Sequence, residues 1–213
     1  MTQIKTTYIQ HCGDDLIVVN AARVSFEKFH KEYEDNDTGL IKYLAREKHL
    51  SPFNHTWLTF HVKAPIFVAR QLVKHEYMPW NEVSRRYVDS EPEFYTPDVW
   101  RERSADKKQG SGGACKSQYF PNIYAEEVTA KALGDYKKML QQGVSPEQAR
   151  MILPQSTMTE WYWSGTLGAF AKMCNLRCKP DTQYESRVVA DQISEKVAEL
   201  FPVSWAALMG GGG

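Results

Sequence analysis

The chain has 213 residues, 42% of them hydrophobic, and its 26 Lys and Arg balance 26 Asp and Glu. This length predicts one domain over residues 1–213, and a net charge of zero argues against a surface that binds nucleic acid. We find no apolar signal segment and no run that approaches the roughly 20 apolar residues of a membrane helix. The four cysteines lack a Cys-x-x-Cys spacing, which argues against a zinc site or a disulfide framework. We therefore expect a cytoplasmic protein with free thiols and no metal, nucleic-acid or membrane partner.

The first fifty residues predict one strand and two helices. Residues 3–9 alternate between apolar and polar side chains, which is typical of a strand. Asp14 or Asp15 is placed to cap a helix over 16–22. Apolar residues at helical spacing predict a second helix over 38–48.

The next segment predicts a strand, a helix and an extended ribbon. Residues 56–62 alternate cleanly and predict a strand with one apolar face. Pro65 suits the first turn of a helix that continues through Val73 and stops before Pro79. Residues 80–88 look extended, and a period of two then places three polar side chains on one side: Glu82, Ser84 and Arg86.

The second half of the chain predicts a loop followed by helices and one strand. Residues 101–118 are charged and rich in Gly and Ser, so we expect a mobile surface loop. Residues 145–148 have the sequence of a capping box with proline at the first helical position. We further expect helices over 121–142, 167–174 and 181–200, a strand over 157–163 and a flexible tail over 208–213. Strands and helices mix without regular alternation, which favours an α+β single domain with a mainly antiparallel β-sheet flanked by helices.

Residues 70–87 concentrate polar groups that a domain of this kind does not need for its structure. Seven of them carry charge or titrate: Arg70, Lys74, His75, Glu76, Glu82, Arg85 and Arg86. Apolar residues lie between them, and burying charge is costly unless each group is paired or meets a ligand. Cations among donors and acceptors favour an anionic ligand, with phosphate the first candidate. Taken singly, Ser84, His75 and Arg85 each have an ordinary structural explanation, and no reaction type follows from them.

Several ordered motifs make the chain similar to the flavin-dependent thymidylate synthases. That family carries Arg-His-Arg, seven residues and then Ser, with Asn-Glu before the Ser and Arg two residues after it. Here the same places hold Lys74-His75-Glu76, Ser84, Asn81-Glu82 and Arg86. Further segments match in the expected order over roughly residues 14–205: Ala21-Ala22-Arg23-Val24-Ser25, Leu50-Ser51-Pro52-Phe53-Asn54-His55, His61-Val62-Lys63-Ala64-Pro65, Phe67-Val68-Ala69-Arg70-Gln71, Glu93-Phe94-Tyr95, Ala149-Arg150 with Leu153-Pro154, and Asn175-Leu176-Arg177.

The resemblance implies a reaction and its cofactor. Deoxyuridine monophosphate (dUMP) receives a one-carbon unit from methylenetetrahydrofolate, reduced FAD supplies the hydride, and NADPH reduces the flavin. The products are thymidylate (dTMP) and tetrahydrofolate, and no protein nucleophile on the base is required. The resemblance also implies the fold of that family and a homotetramer with active sites shared between subunits.

The resemblance assigns roles position by position. Arg177 matches the arginine that holds the pyrimidine and favours its ionised form, so it is the catalytic candidate. The positions implied for dUMP are Arg70, Gln71, Lys74, Glu82, Ser84, Arg85, Arg86, Arg150 and Arg177. The positions implied for FAD, or for its border with the nucleotide, are Ser25, Ser51, Asn54, Lys74, His75, Glu76, Glu82, Thr166, Gly168 and Lys172.

The flavin positions depart from the family pattern more than the nucleotide positions do. Lys74 keeps a charge but loses the planar fork of arginine, and Glu76 reverses the charge of the second motif arginine. Pro79 stands where serine is common, and Asn54 stands where Glu is usual. Three later positions that hold Asn, Arg and Asn in the family are Thr166, Gly168 and Lys172 here. We expect a divergent branch with rearranged FAD contacts, in which Lys172 supplies the phosphate charge that Gly168 lacks.

Three other functions stay open at this point. The altered flavin positions fit a related enzyme that delivers the one-carbon unit to another pyrimidine nucleotide or stops at another product. They also fit a non-catalytic nucleotide-binding protein that has lost FAD. A nucleic-acid-binding module is disfavoured by the zero net charge.

Overall fold

The computed structural model describes residues 3–105 and 110–210. Its strands are β1 (Lys5–Cys12), β2 (Trp57–Pro65), β3 (Trp80–Glu82) and β4 (Met158–Gly165). Its α-helices are α1 (Asp15–Arg23), α2 (Asp35–Arg46), α3 (Ile66–Leu72), α4 (Tyr119–Gln141), α5 (Pro146–Ala149), α6 (Leu167–Arg177), α7 (Tyr184–Leu200) and α8 (Pro202–Gly210). None of the described helices is long and apolar enough to cross a membrane.

The four strands form one antiparallel sheet in the order β1-β2-β4-β3. The central pair, β2 and β4, is in register with Phe60 opposite Trp163, and Trp163 also faces Trp80 of β3. The α+β class and the antiparallel sheet predicted from the sequence are therefore confirmed.

One face of the sheet forms the core with α6 and α7. Leu58, Phe60 and Val62 of β2 are fully buried, as the alternation of that strand predicts. The ring of Phe170 on α6 packs edge-on against Phe60 with 5.3 Å between centroids, and against Trp163 with 5.6 Å. Burial of large aromatic side chains contributes much of the stability of such a core, so the first turn of α6 is held firmly beside the sheet.

Caps for two helices come from neighbouring aspartates. Asp14 accepts a hydrogen bond from the Ile17 backbone N–H at 3.0 Å and caps α1, as predicted. The buried Asp15 carboxylate instead accepts the backbone N–H groups of Val203 and Ser204, at 3.0 and 2.9 Å. These are orphan donors of the first turn of α8, so Asp15 fixes a helix 188 residues further along the chain.

The ribbon predicted over residues 80–88 is wrong beyond β3. The Val83 N–H still donates to the Glu160 carbonyl at 2.9 Å, but the Tyr87 N–H donates to the Ser84 carbonyl at 3.0 Å and closes a turn. The Ser84 hydroxyl accepts from Arg86, and such local bonds compete with a strand ladder. Glu82, Ser84 and Arg86 therefore do not share a strand face.

Two predictions near helix ends are also corrected. Ser145 makes no side-chain cap bond to α5; its carbonyl accepts the N–H groups of Gln148 and Ala149 instead. The tail predicted from residue 208 is helical through Gly210. The helix expected over 181–200 is followed by one more helix, α8, which includes residues 208–210. Residues 211–213 of that tail, and 106–109 of the loop predicted over 101–118, lie outside the described residues.

Candidate active site

The ends of α3 and α6 bring His75 and Arg177 into contact. The backbone N–H of His75 donates to the Leu72 carbonyl at 3.1 Å, which places the imidazole just beyond α3. Arg177 is the last residue of α6, and its Nε donates to His75 Nε2 at 3.1 Å. Because a guanidinium can only donate, His75 accepts through an unprotonated Nε2.

Burial and nearby cations keep the imidazole of His75 neutral. Burial, joined by the positive charges of Arg177 and Lys172, lowers the pKa of His75 to about 4. Burial also lowers the pKa of Arg177. At neutral pH this pair is therefore a fixed cation oriented by a neutral acceptor, an arrangement suited to meeting negative charge.

A small cavity of about 120 Å³ adjoins β3 and contains part of the predicted anion site. It is lined by Ile66, Glu82, Val83, Arg85, Arg150, Leu153, Met158 and Thr159. Glu82 is fixed there because it accepts from the Thr159 hydroxyl at 2.8 Å and from the Trp80 indole N–H at 3.1 Å. The two arginines each use one N–H for a backbone carbonyl, Ser90 for Arg85 and Glu147 for Arg150. Their other donors leave this small cavity equipped to bind an anion.

The other residues that were predicted to bind the nucleotide lie outside the lining of this cavity. Arg86 Nε donates to the Ser84 hydroxyl at 3.1 Å, and both side chains are outside the small cavity. The buried Oε1 of Gln71 has no hydrogen-bond partner among the described residues. A buried acceptor without a partner costs about 1–3 kcal/mol, so a ligand donor would stabilise it. Arg70 and Lys74 are exposed and line neither of the two cavities described here.

A large cavity of about 940 Å³ lies between the end of α2, α6 and α8. Its lining includes five of the predicted flavin residues: Asn54, Glu76, Thr166, Gly168 and Lys172. Much of the remaining lining is apolar and includes Ala45, Leu50, Ala171 and Leu208. The other predicted flavin residues lie outside this lining, namely Ser25, Ser51, Lys74, His75 and Glu82.

Sequence reasoning missed two cations and one helix of the large cavity. Lys48 and Lys179 line it together with Lys172, and α8 closes one side through residues 207–209. A lysine just after a helix end is ordinarily explained by the helix dipole, so Lys48 and Lys179 gave no separate signal. The position of α8 depends on its distant cap at Asp15, which no local pattern shows.

Three of the positions that depart from the family pattern touch one another. The Thr166 hydroxyl donates to Asn54 Oδ1 at 2.7 Å and accepts from the Ala169 N–H at 3.2 Å, which caps α6. A Cβ added at Gly168 would lie 2.5 Å from the same Asn54 oxygen. Glycine is therefore required at 168 while Asn54 keeps its bond to Thr166.

Fold and site define an α+β protein with a small cavity lined by two arginines at the β3 edge of the sheet and a larger, mixed cavity lined by α6 and α8. The family model described as Thymidylate synthase complementing protein matches residues 7–203. The chain therefore belongs to that family, the flavin-dependent thymidylate synthases, as the sequence motifs predict.

Named relatives cover nearly the whole chain. A flavin-dependent thymidylate synthase of Thermus thermophilus is 41% identical over 93% of this chain and 73% of its own length. One from Thermosipho melanesiensis is 37% identical over 92% of this chain and 86% of its own length. The solved structure of the UMP/dUMP methylase PolB from Streptomyces cacaoi, bound with 5-Br dUMP, superimposes with a TM-score of 0.90 at 32% identity. That match covers 100% of this chain and 97% of PolB.

Proposed function

We propose that this protein makes dTMP from dUMP, with methylenetetrahydrofolate as one-carbon donor and FAD reduced by NADPH as hydride source. The observation that carries the proposal is the contact between Arg177 and the neutral His75 in a member of this family. It supports a fixed positive charge at the position that the family resemblance gives to the pyrimidine. Charge placed in advance where negative charge develops is commonly the largest contribution to such catalysis.

The small cavity supports the nucleotide part of the proposal. Arg85 and Arg150 line it and retain donors for a phosphate, while the bonded Glu82 carboxylate is held ready to accept from ligand hydroxyl or N–H groups. Ser84 and Arg86 form a hydrogen-bonded pair, and they flank Arg85, which lines this cavity. Gln71 offers a buried acceptor without a partner in the described part of the chain. Arg70 and Lys74 are proposed for the same ligand on the resemblance alone.

The large cavity fits a flavin dinucleotide in size and in chemistry. Its volume of about 940 Å³ lies in the range of cofactor sites, its inner lining is largely apolar, and lysines stand at its edge. Asn54, Glu76, Thr166, Gly168 and Lys172 would hold the cofactor there, with Ser25, Ser51 and His75 proposed to border it. When bound and reduced, FAD supplies the hydride that completes the methyl group.

The chain's own residues act by position and charge. His75 accepts from Arg177 and so fixes the direction of the guanidinium. Arg177 stabilises negative charge on the pyrimidine in the electron-rich form that attacks the one-carbon unit. Burial raises the pKa of Cys174, which lines the large cavity, so its thiol stays protonated and does not serve as a nucleophile.

We also propose a homotetramer whose subunits share active sites. Helix α4 exposes a row of large apolar side chains, at 57–67% of their full area: Tyr119, Phe120, Tyr124 and Val128. Exposed apolar rows of this kind mark surfaces that a partner covers. Sedimentation of the purified protein tests this proposal, and a monomer at assay concentration contradicts it.

A product assay with omissions tests the proposed reaction. The protein, first freed of bound flavin, is incubated with FAD, NADPH, methylenetetrahydrofolate and dUMP, and then with each reagent left out in turn. We expect dTMP only in the complete mixture. Absence of dTMP although FAD is bound contradicts the reaction, and absence of FAD binding supports a nucleotide-binding protein without chemistry.

A second candidate is methylation of another pyrimidine nucleotide. The specific observation in its favour is the similarity to PolB, a UMP/dUMP methylase also solved bound with 5-Br UMP, at a TM-score of 0.88 and 31% identity. Mass spectrometry of products from equimolar dUMP, UMP and deoxycytidylate separates the candidates. A methylated product mainly from UMP or deoxycytidylate would replace the first proposal.

A further inference from the structure

Two positions in the lining of the large cavity, 76 and 168, lack the arginines of the family pattern, and lysines line the cavity at other positions. Gly168 cannot become arginine without moving Asn54, because a Cβ at 168 meets Asn54 Oδ1 at 2.5 Å. Glu76 lines the same cavity with a negative charge. An anionic cofactor in this cavity therefore needs positive charge from other residues.

Three lysines on separate stretches of chain supply that charge. Lys48 follows α2, Lys172 lies on α6 and Lys179 follows α6, and all three line the large cavity with exposed side chains. Within the described residues none of the three pairs with a carboxylate within 4.0 Å. Glu76 is the one carboxylate among the described lining residues. The cavity wall therefore carries a surplus of positive charge that the protein itself does not neutralise.

The backbone at Lys48 also departs from the ordinary. Its φ of 58° is left-handed, a conformation that lysine adopts rarely. Its N–H donates to the Ala45 carbonyl at 3.2 Å, so it ends α2 in the position that glycine or asparagine usually takes. Sparsely populated backbone conformations of this kind occur preferentially at ligand sites.

The field of Lys172 reaches the catalytic pair. Its charge contributes to the lowered pKa of His75, whose imidazole contacts Arg177. Lys172 thus acts electrostatically on the reacting end of the site.

We propose that Lys48, Lys172 and Lys179 form a phosphate subsite that binds the diphosphate of the flavin dinucleotide. This inference rests on the proposed function for the identity of the ligand. The three ammonium groups replace the arginine charge missing at positions 76 and 168. Lysine suits this task because an ammonium binds phosphate as a point charge and needs no planar fork.

Two flavins with and without phosphate test the subsite. Dissociation constants of FAD and riboflavin are measured by flavin fluorescence for the parent, the three single Lys→Ala variants and the triple variant. We expect the triple variant to bind FAD about tenfold or more weakly, to bind riboflavin like the parent and to show a shallower salt dependence of FAD binding. Lys42→Ala is the matched control, since Lys42 is an exposed lysine of α2 outside the cavity.

The outcomes separate this inference from the proposed function. If the triple variant binds FAD as tightly as the parent, or loses FAD and riboflavin equally, the subsite is wrong although the enzyme remains a flavoprotein. If the parent binds no flavin at all, the proposed function fails and the subsite fails with it. Riboflavin binding by the triple variant also shows that the variant is folded.

Discussion

The small cavity and the large cavity differ in how closely they follow the family pattern. The small cavity is lined by Glu82, Arg85 and Arg150, three positions that the family resemblance assigns to dUMP. Around the large cavity, Asn54, Thr166 and Gly168 all depart from it, and these three contact one another. A change at one of the three positions constrains the other two because they share one oxygen atom. On the flavin side, three of the positions that depart from the family pattern are therefore packed against one another.

We expect the strongest effect at Arg177, which contacts His75. Arg177→Ala should lower kcat by about 10²–10³ because it removes a preorganised charge at the reacting base. Flavin content, measured by absorbance of the purified protein, should change far less. Arg46→Ala, an exposed arginine at the end of α2, is the control. Equal loss of flavin and turnover, or no loss of either, would show that Arg177 has another role.

On the nucleotide side, Arg86→Ala should weaken dUMP binding by about 10- to 100-fold, which corresponds to a hydrogen bond to a charged group. Arg86→Lys should restore binding only in part, since it keeps the charge and loses the fork. Calorimetric titration with dUMP and with FAD checks both variants. Unchanged dUMP affinity, or an equal loss for both ligands, would show that Arg86 is not a specific nucleotide-binding residue.

On the flavin side, Gly168→Ala should lower the free energy of unfolding by about 1–3 kcal/mol because the added Cβ meets Asn54. Adding Asn54→Gly should recover part of that loss, so the double variant is less destabilised than the sum of the single ones. Gly39→Ala is the matched control: its Cβ meets nothing within 4 Å on α2, and it should be neutral or stabilising. Urea unfolding gives the free energy of unfolding of the parent, the two single variants, the double variant and the control. Strict additivity of the two single effects would refute the shared packing.

A further prediction concerns the pH dependence of stability. The pKa of His75 is about 4 in the folded protein and near its ordinary value of 6.5 in the unfolded chain. As pH falls from 6.5 to 4 the unfolded state takes up the proton first, so this residue makes the free energy of unfolding fall over that interval. His75→Gln should flatten this fall, whereas His49→Gln, at an exposed histidine, should not. Urea unfolding at several pH values measures the slope, and identical slopes in parent and His75→Gln contradict the buried neutral imidazole.

Local periodicity in the sequence was enough to predict much of the fold. The alternation of β2 and the spacing of Phe170 and Cys174 on α6 depend on nearby residues, and the structure buries them as expected. Helix α8 was missed because its first turn is capped by Asp15, 188 residues earlier. The strand beyond Glu82 was overextended because the Ser84 hydroxyl bonds locally to Arg86.

The candidate site was predicted as a set of residues and not as an arrangement. Motif spacing singled out His75 and Arg177, but the hydrogen bond between them spans 102 residues. Lys48 and Lys179 reach the large cavity only through the packing of α2, α6 and α8. Residue types near each other in sequence were therefore recognisable, whereas partners joined by tertiary packing were not.

The most direct test of the account is a single-turnover reaction without oxygen. The protein with FAD reduced by NADPH is freed of excess NADPH and mixed with dUMP and methylenetetrahydrofolate, and flavin absorbance and dTMP are measured in the same samples. The account predicts that one dTMP forms for each flavin that is reoxidised, at the same rate. Flavin that stays reduced, or flavin that is reoxidised while no dTMP forms, would contradict it.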